Sequence, residues 1–254
     1  MKKRNDQNAI VKRAVLVFIL MFLVLLAALA FFTRSIVMRE QLKASYTAEA
    51  TVANVEAQLN RYLAESELLK SIVESGYEIS DSDFAALSKL MYDEDGIIKA
   101  VELAPNGVVR SVYPQAGNAD VLGLNMLRHP ERKVEASLAK ESGQYTIAGP
   151  FQLVQGGIGA LLFDPIYTTG ADGSQKYWGF SVLVLDWESF LDEIQINKLQ
   201  DASYEYLIWK EGHNGERIVI AQGDRPVGPN TLEVACAVPN DTWYSVSYTH
   251  LTLP

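Results

Sequence analysis

The sequence has a single cysteine, three histidines, and neither glycine nor proline between Arg34 and Ser75. One cysteine excludes an intramolecular disulfide, and Cys236, inside LEVACAV, reads as a small buried hydrophobe. The histidines (His129, His213, His250) are scattered, so no metal and no cofactor is expected. Motifs of the HExxH, GxSxG, Walker, CxxC and dinucleotide types are missing, so the chain as given is not expected to be an enzyme. Positive charge is also scarce: 22 basic against 31 acidic residues, a net −9. That balance argues against nucleic acid as a partner, because phosphate binding needs a basic surface. Asp93-Glu94-Asp95 is most simply a solvated turn, without the ligand spacing of a calcium loop.

What the chain does have is a long apolar run. Ala14–Phe32 is free of charge for 19 residues, which as a helix covers about 28 Å, close to a bilayer's hydrocarbon core. Lys2, Lys3, Arg4, Lys12 and Arg13 precede it against Asp6 alone. This bias predicts a cytoplasmic N-terminus (1–13), a transmembrane helix (14–32) and an extracytoplasmic remainder, anchored in the inner (plasma) membrane. The alternative is a cleaved signal peptide with Ala28-Leu29-Ala30 at the cut; against it, the apolar run is long and continues through Phe31 and Phe32. From residue 34 onward 17 basic residues face 30 acidic ones.

Residues 34–75 predict a long stalk helix. Val52, Val55, Leu59, Tyr62, Ser66, Leu69 and Val73 recur at 3-4 spacing. The stripe fits either a seam between two copies of the chain, giving a homodimer, or a helix laid on its own domain's core. A short helix follows from Ser80–Ser82 to about Tyr92. Ile97–Ala104 and Val108–Tyr113 then flank Pro105-Asn106-Gly107, a hairpin signal. Pro130–Glu141 predicts a helix, and Tyr145–Val154 with Ile158–Thr168 a second strand pair around Gly156-Gly157. Lys176–Trp187, the most continuous apolar strand, belongs mid-sheet, and Glu188–Ile194 turns helical. The expected class is α+β: one antiparallel sheet carrying its helices on one face (76–196). A second, partial sheet follows over 197–247, with strands near Tyr204–Trp209, Arg217–Ala221, Leu232–Val238 and Trp243–Tyr248. Tyr248–Pro254 (YTHLTLP) reads as a non-native tail.

Four segments, LAPNGVVRSVYP, GLNMLRHPERKVEASLAKESG, AGPFQLVQGGIGALLFDPIY and YWGFSVLVLDWESFL, span Leu103 to Leu191. Together they resemble the CHASE domain, an extracellular ligand-sensing module of membrane receptors. The resemblance implies a stalk helix and two PAS-like lobes, the membrane-distal one holding a small ligand. It also implies a second membrane span and a cytoplasmic histidine kinase or diguanylate cyclase output, placing the chain in a two-component type of signalling. By that analogy Met126, Arg132, Phe151, Leu161, Phe163 and Tyr167 line the pocket. Plant members that bind adenine-type hormones use an aspartate and a threonine near the positions of Glu131 or Arg132 and Phe163, so a purine hormone is not implied here. Each candidate also has a plainer reading. Phe151, Leu161 and Phe163 alternate as core residues would, Tyr167 caps a strand end, and Arg132 forms a surface ion pair with Glu131 or Glu135. The competing function is a single-span, membrane-anchored binding protein without output.

Overall fold

A computed structural model of the chain describes residues 2–92, 96–170, 172–196, 204–212, 214–224 and 232–249. The Asp93–Asp95 turn and residues 250–254 of the expected tail lie outside these. The apolar run and the stalk form one unbroken helix, α1 (Lys2–Glu74), since nothing in the sequence interrupts it before Gly76. Its segment Lys12–Arg39 is long and apolar enough to cross a membrane. Ser80 caps α2 (Asp81–Met91) through a capping box, its hydroxyl accepting from the Asp83 amide at 3.1 Å.

Five strands build the first sheet: β1 (Ile98–Pro105), β2 (Ser111–Tyr113), β3 (Thr146–Gln152), β4 (Ile158–Thr169) and β5 (Gln175–Asp186). They are antiparallel in the order β2-β1-β5-β4-β3, which puts the most apolar strand, β5, in the centre. Asn106 and Gly107 turn the first hairpin with φ of 53° and 79°. Beyond it the expected strand Val108–Tyr113 shortens to Ser111–Tyr113, because residues 107–109 leave β1 and pair with the connection ahead. Val109 N–H donates to Leu124 O (2.9 Å) and Met126 N–H to Gly107 O (2.8 Å).

Helices cover both faces of this sheet, not one. β4 and β5 are buried on both sides, as continuous apolar runs require. α1, α2 and α4 (Trp187–Glu193) pack on one face. α3 (Lys133–Ser142) and the connection from Val109 to Met126 pack on the other. α3 begins three residues later than Pro130 suggests: Arg132 is its N-cap, with φ −121°. The apolar stripe of α1 belongs to the domain's own core. Val55, Leu59, Tyr62, Ser66, Leu69 and Val73 are each at most 4% exposed.

The second sheet is antiparallel in the order β7-β6-β9-β8, from β6 (Tyr204–Glu211), β7 (Arg217–Gln222), β8 (Leu232–Val238) and β9 (Asp241–Thr249). β9 therefore takes in Tyr248 and Thr249. This sheet shares the core of α1: Cys236, buried with its thiol pushed up to about 12 by burial, faces the Val52 carbonyl, and Trp243 meets Trp187 edge-on at 6.0 Å.

Two glycines let strands approach. Gly149 has φ +106°, and a Cβ there would lie 3.0 Å from the Gly159 carbonyl oxygen. A Cβ on Gly179 would press into the Ala104 carbonyl across the β1–β5 ladder, well inside contact distance. Gly179→Ala should therefore destabilise the fold by about 3 kcal/mol, the upper end for overpacking. Chemical denaturation checks this; an unchanged midpoint would mean that β1 and β5 separate freely.

Candidate functional site

The face of the first sheet opposite α1 carries a buried, mostly aliphatic layer in which Phe163 and Phe180, with the half-buried Phe151 and Tyr177 against them, form an aromatic cluster; this layer is the candidate ligand chamber. Side chains alternate along strands, so Leu161 and Phe163 of β4, and Phe180 and Val182 of β5, point to this face. Their odd- and even-numbered neighbours Leu162, Leu183 and Leu185 point to α1. Phe163 and Phe180 meet at 5.2 Å between ring centroids, and Tyr177 adds an edge-on contact to Phe180 at 5.3 Å. The hydrogen bond from Met126 to Gly107 brings the Met126 side chain over the sheet, where it is fully buried.

Arg132 enters from the helix layer above. It is 1% exposed, so it is not the surface ion pair that Glu131 or Glu135 could have made; Glu135 instead lies 3.6 Å from Lys210. The Arg132 guanidinium sits 5.5 Å from the Phe151 ring centroid and donates to Met126 Sδ at 3.9 Å. Tyr167 stands at the rim, its hydroxyl donating to the Lys140 carbonyl and its ring meeting Tyr177 at 5.8 Å. All six sequence-derived candidates thus gather on one face: Met126, Arg132, Leu161 and Phe163 buried, Phe151 and Tyr167 half-buried.

Glu102, which sequence reasoning missed, is the seventh member. It occupies the middle of β1 between Val182 of β5 and Val112 of β2. By alternation it faces the same side as Ala100 and Ala104, both in this core. Burial pushes its carboxyl up to about 7, only partly offset by the positive charge of Arg132. Burial likewise lowers Arg132 against the opposing field of Glu102. Glu102 Oε2, Arg132 Nε and the Tyr177 hydroxyl have no hydrogen-bond partner among the described residues. Such groups are rare inside folded proteins. The signal for Glu102 was a lone carboxylate in an otherwise apolar strand.

Asp164 was missed for the same reason. One residue along β4 from Phe163, it points the other way and is fully buried. It accepts from Ser66 Oγ (2.8 Å) and Lys70 Nζ (2.9 Å), both on α1. β4 therefore has the chamber on one side and a polar clasp to the long helix on the other. Among the described residues no group of three or more His, Cys, Asp or Glu side chains is placed to hold a metal ion.

The CHASE-domain family model matches residues 45–220. This chain belongs to the CHASE family. The match runs from the outer part of α1 through the whole first sheet to β7. CHASE domains are extracellular sensory modules, so this part of the chain is an extracellular ligand-sensing domain, and the apolar segment of α1 fits a membrane anchor. An extracellular ligand binding receptor from Desulfohalobium retbaense DSM5692 shares the fold, with a TM-score of 0.60 at 14% identity. The likeness covers 82% of this chain but 40% of that one, so the CHASE chain spans well under half of its length. The Vibrio cholerae LuxQ periplasmic domain aligns at a TM-score of 0.39 and 9% identity, over 80% of this chain and 98% of that one. No curated protein matches the chain.

Proposed function

We propose that this CHASE chain is the sensing part of a transmembrane signal-transduction receptor of the inner (plasma) membrane, with its N-terminus in the cytoplasm. A small ligand enters the chamber walled by Met126, Arg132, Phe151, Leu161, Phe163 and Tyr167. Its binding is passed through α1 to a cytoplasmic output domain of the histidine kinase or diguanylate cyclase type. One observation carries the reading: α1 is continuous from the apolar segment to Glu74, and it grips β4 at Asp164, next to Phe163. A shift of β4 caused by a ligand on the Phe163 side reaches the membrane helix through a single strand. Only a ligand with different affinity for two positions of β4 drives such a shift, and a coupling of about 1–3 kcal/mol is typical. The basic N-terminal segment supports the orientation.

The working form is a homodimer through the outer stalk. Met38, Leu42 and Tyr46 recur every fourth residue and are 54–64% exposed, a stripe that the chain's own core leaves uncovered. Leu42→Cys should give a disulfide-linked dimer in membranes under mild oxidation, since native Cys236 is buried. Adding Arg132→Ala, at the far end of the path, should change the rate of cross-linking. Equal rates would break the link between chamber and membrane helix, and no cross-link would remove the dimer.

A further inference from the structure

The charges inside the first-sheet chamber specify the chemistry of its ligand, an inference that rests on the chamber being the ligand site. Two ionisable side chains of opposite sign reach the chamber, each 1% exposed: Glu102 from the sheet and Arg132 from the helix layer over it. Each feels the other's field. Yet Glu102 Oε2 and Arg132 Nε are left without a hydrogen-bond partner among the described residues. Among those residues the side-chain acceptor that Arg132 meets is the weak one of Met126 Sδ, at 3.9 Å. Burying a carboxyl and a guanidinium this way is costly unless something completes them. Among the described residues nothing completes them, and the fully buried carboxyl of Asp164 lies on the opposite face of the sheet, with Ser66 and Lys70.

We propose that the chamber binds a small zwitterion, an α-amino acid with an apolar or aromatic side chain, with its carboxylate on Arg132 and its ammonium on Glu102. Other ligand classes fit the charges less well. A simple anion satisfies Arg132 but leaves Glu102 unpartnered and adds a like charge near it. A simple amine satisfies Glu102 but lies in the repulsive field of Arg132. A neutral apolar molecule completes neither. An amino acid carries both charges a few atoms apart and has no net charge, matching a chamber that holds one buried acid and one buried base. Phe151, Leu161, Phe163 and Phe180 then surround its side chain. The ligand displaces the Arg132–Met126 contact and enters past Phe151 and Tyr177, both half-buried.

The test is calorimetry on the full chain in lipid nanodiscs. Phenylalanine and leucine are compared with hydrocinnamate and isocaproate, which lack the ammonium, and with phenethylamine and isoamylamine, which lack the carboxylate. The amino acids should bind at least tenfold more tightly than either truncated set, since a site built for a polar group rejects an analogue without it. Glu102→Gln and Arg132→Gln should each weaken amino-acid binding at least tenfold, while Arg132→Lys, which keeps the charge and guards against misfolding, should weaken it less. Hydrocinnamate binding as well as phenylalanine, with Glu102→Gln indifferent, would overturn the zwitterion and leave the chamber as the ligand site. Amino-acid binding untouched by all three variants would place the ligand elsewhere and overturn the chamber reading itself. No binding by either amino acid would overturn the zwitterion proposal.

Discussion

Lys70→Met will destabilise the folded chain by roughly 3–5 kcal/mol, as breaking a buried pair from one side does, and will cost more than Asp164→Asn. The two partners are not equivalent. The Asp164 side chain is wholly inaccessible, whereas that of Lys70 is 21% exposed. Without Asp164 the lysine reaches outward to water. Without Lys70 the carboxylate keeps only the Ser66 hydroxyl and stays in the core, near Glu67, whose charge opposes it, and the buried Tyr145 hydroxyl. Even with both partners present, burial holds the Asp164 carboxyl above its ordinary range.

This raised value fixes the sign of the pH dependence. A carboxyl whose folded pKa lies above its unfolded one contributes stability at acid pH that is lost as pH rises through the folded value. Lys70→Met removes the hydrogen bond and the charge of the lysine, both of which oppose the effect of burial, and raises the folded value further. Its deficit should be small near the ordinary aspartate range, about pH 4, and grow toward neutrality. Asp164→Asn keeps an acceptor for Ser66 and removes this titration altogether. Urea unfolding of the three proteins at acid and neutral pH measures both effects. Equal losses at both pH values would show that water, not protein, solvates the pair. Since the clasp is the polar contact between β4 and α1, beside the apolar packing of Leu162 and Ile166, both variants should loosen the grip of the chamber on the stalk.

Leu59→Ala will cost about 2–5 kcal/mol, the range for emptying a packed core site, and will leave self-association unchanged. Leu42→Ala will cost within about 0.5 kcal/mol and will weaken the dimer. Both leucines lie on one helix, yet Leu59 is 1% exposed and Leu42 54%. Leu59 packs with Tyr62, Leu69 and the inner face of the first sheet; Leu42 meets no such surface. Denaturation and sedimentation velocity separate the two. Dimer loss in Leu59→Ala without loss of stability would restore the inner stripe as the seam.

The local elements were readable because their causes are local. Ser80 and Asp83 make the cap of α2, and Asn106-Gly107 make the turn between β1 and β2. The central place of β5 follows from its unbroken apolar run. In YWGFSVLVLDWESFL, one of the four segments that carry the family resemblance, the sheet supplies a physical reason for Gly179: it lies against β1 where no Cβ fits. Pro130 misled by three residues, since a proline tolerated in a first turn is equally at home in the turn before a helix. The stripe on α1 was ambiguous for a similar reason, as a helix shows the same spacing whether its apolar face meets a twin or its own sheet.

The six chamber candidates came from a resemblance, and their residue types alone did not distinguish pocket from core. Glu102 and Asp164, each a lone carboxylate in an apolar strand, pass unnoticed for a different reason: a carboxylate in a strand is ordinarily a solvent-facing residue. By itself the sequence determined the apolar segment of membrane-spanning length, the long helix, the α+β class and the acidic character of the chain from residue 34 onward. These depend on composition and on periods of a few residues. The tertiary structure alone decided that helices cover both faces, that Glu102 shares a chamber with Arg132, and that Asp164 fastens β4 to α1. Those pairings join residues 30 to nearly 100 positions apart, and separation along the chain carries no record of which strand face a side chain will share until the sheet has closed.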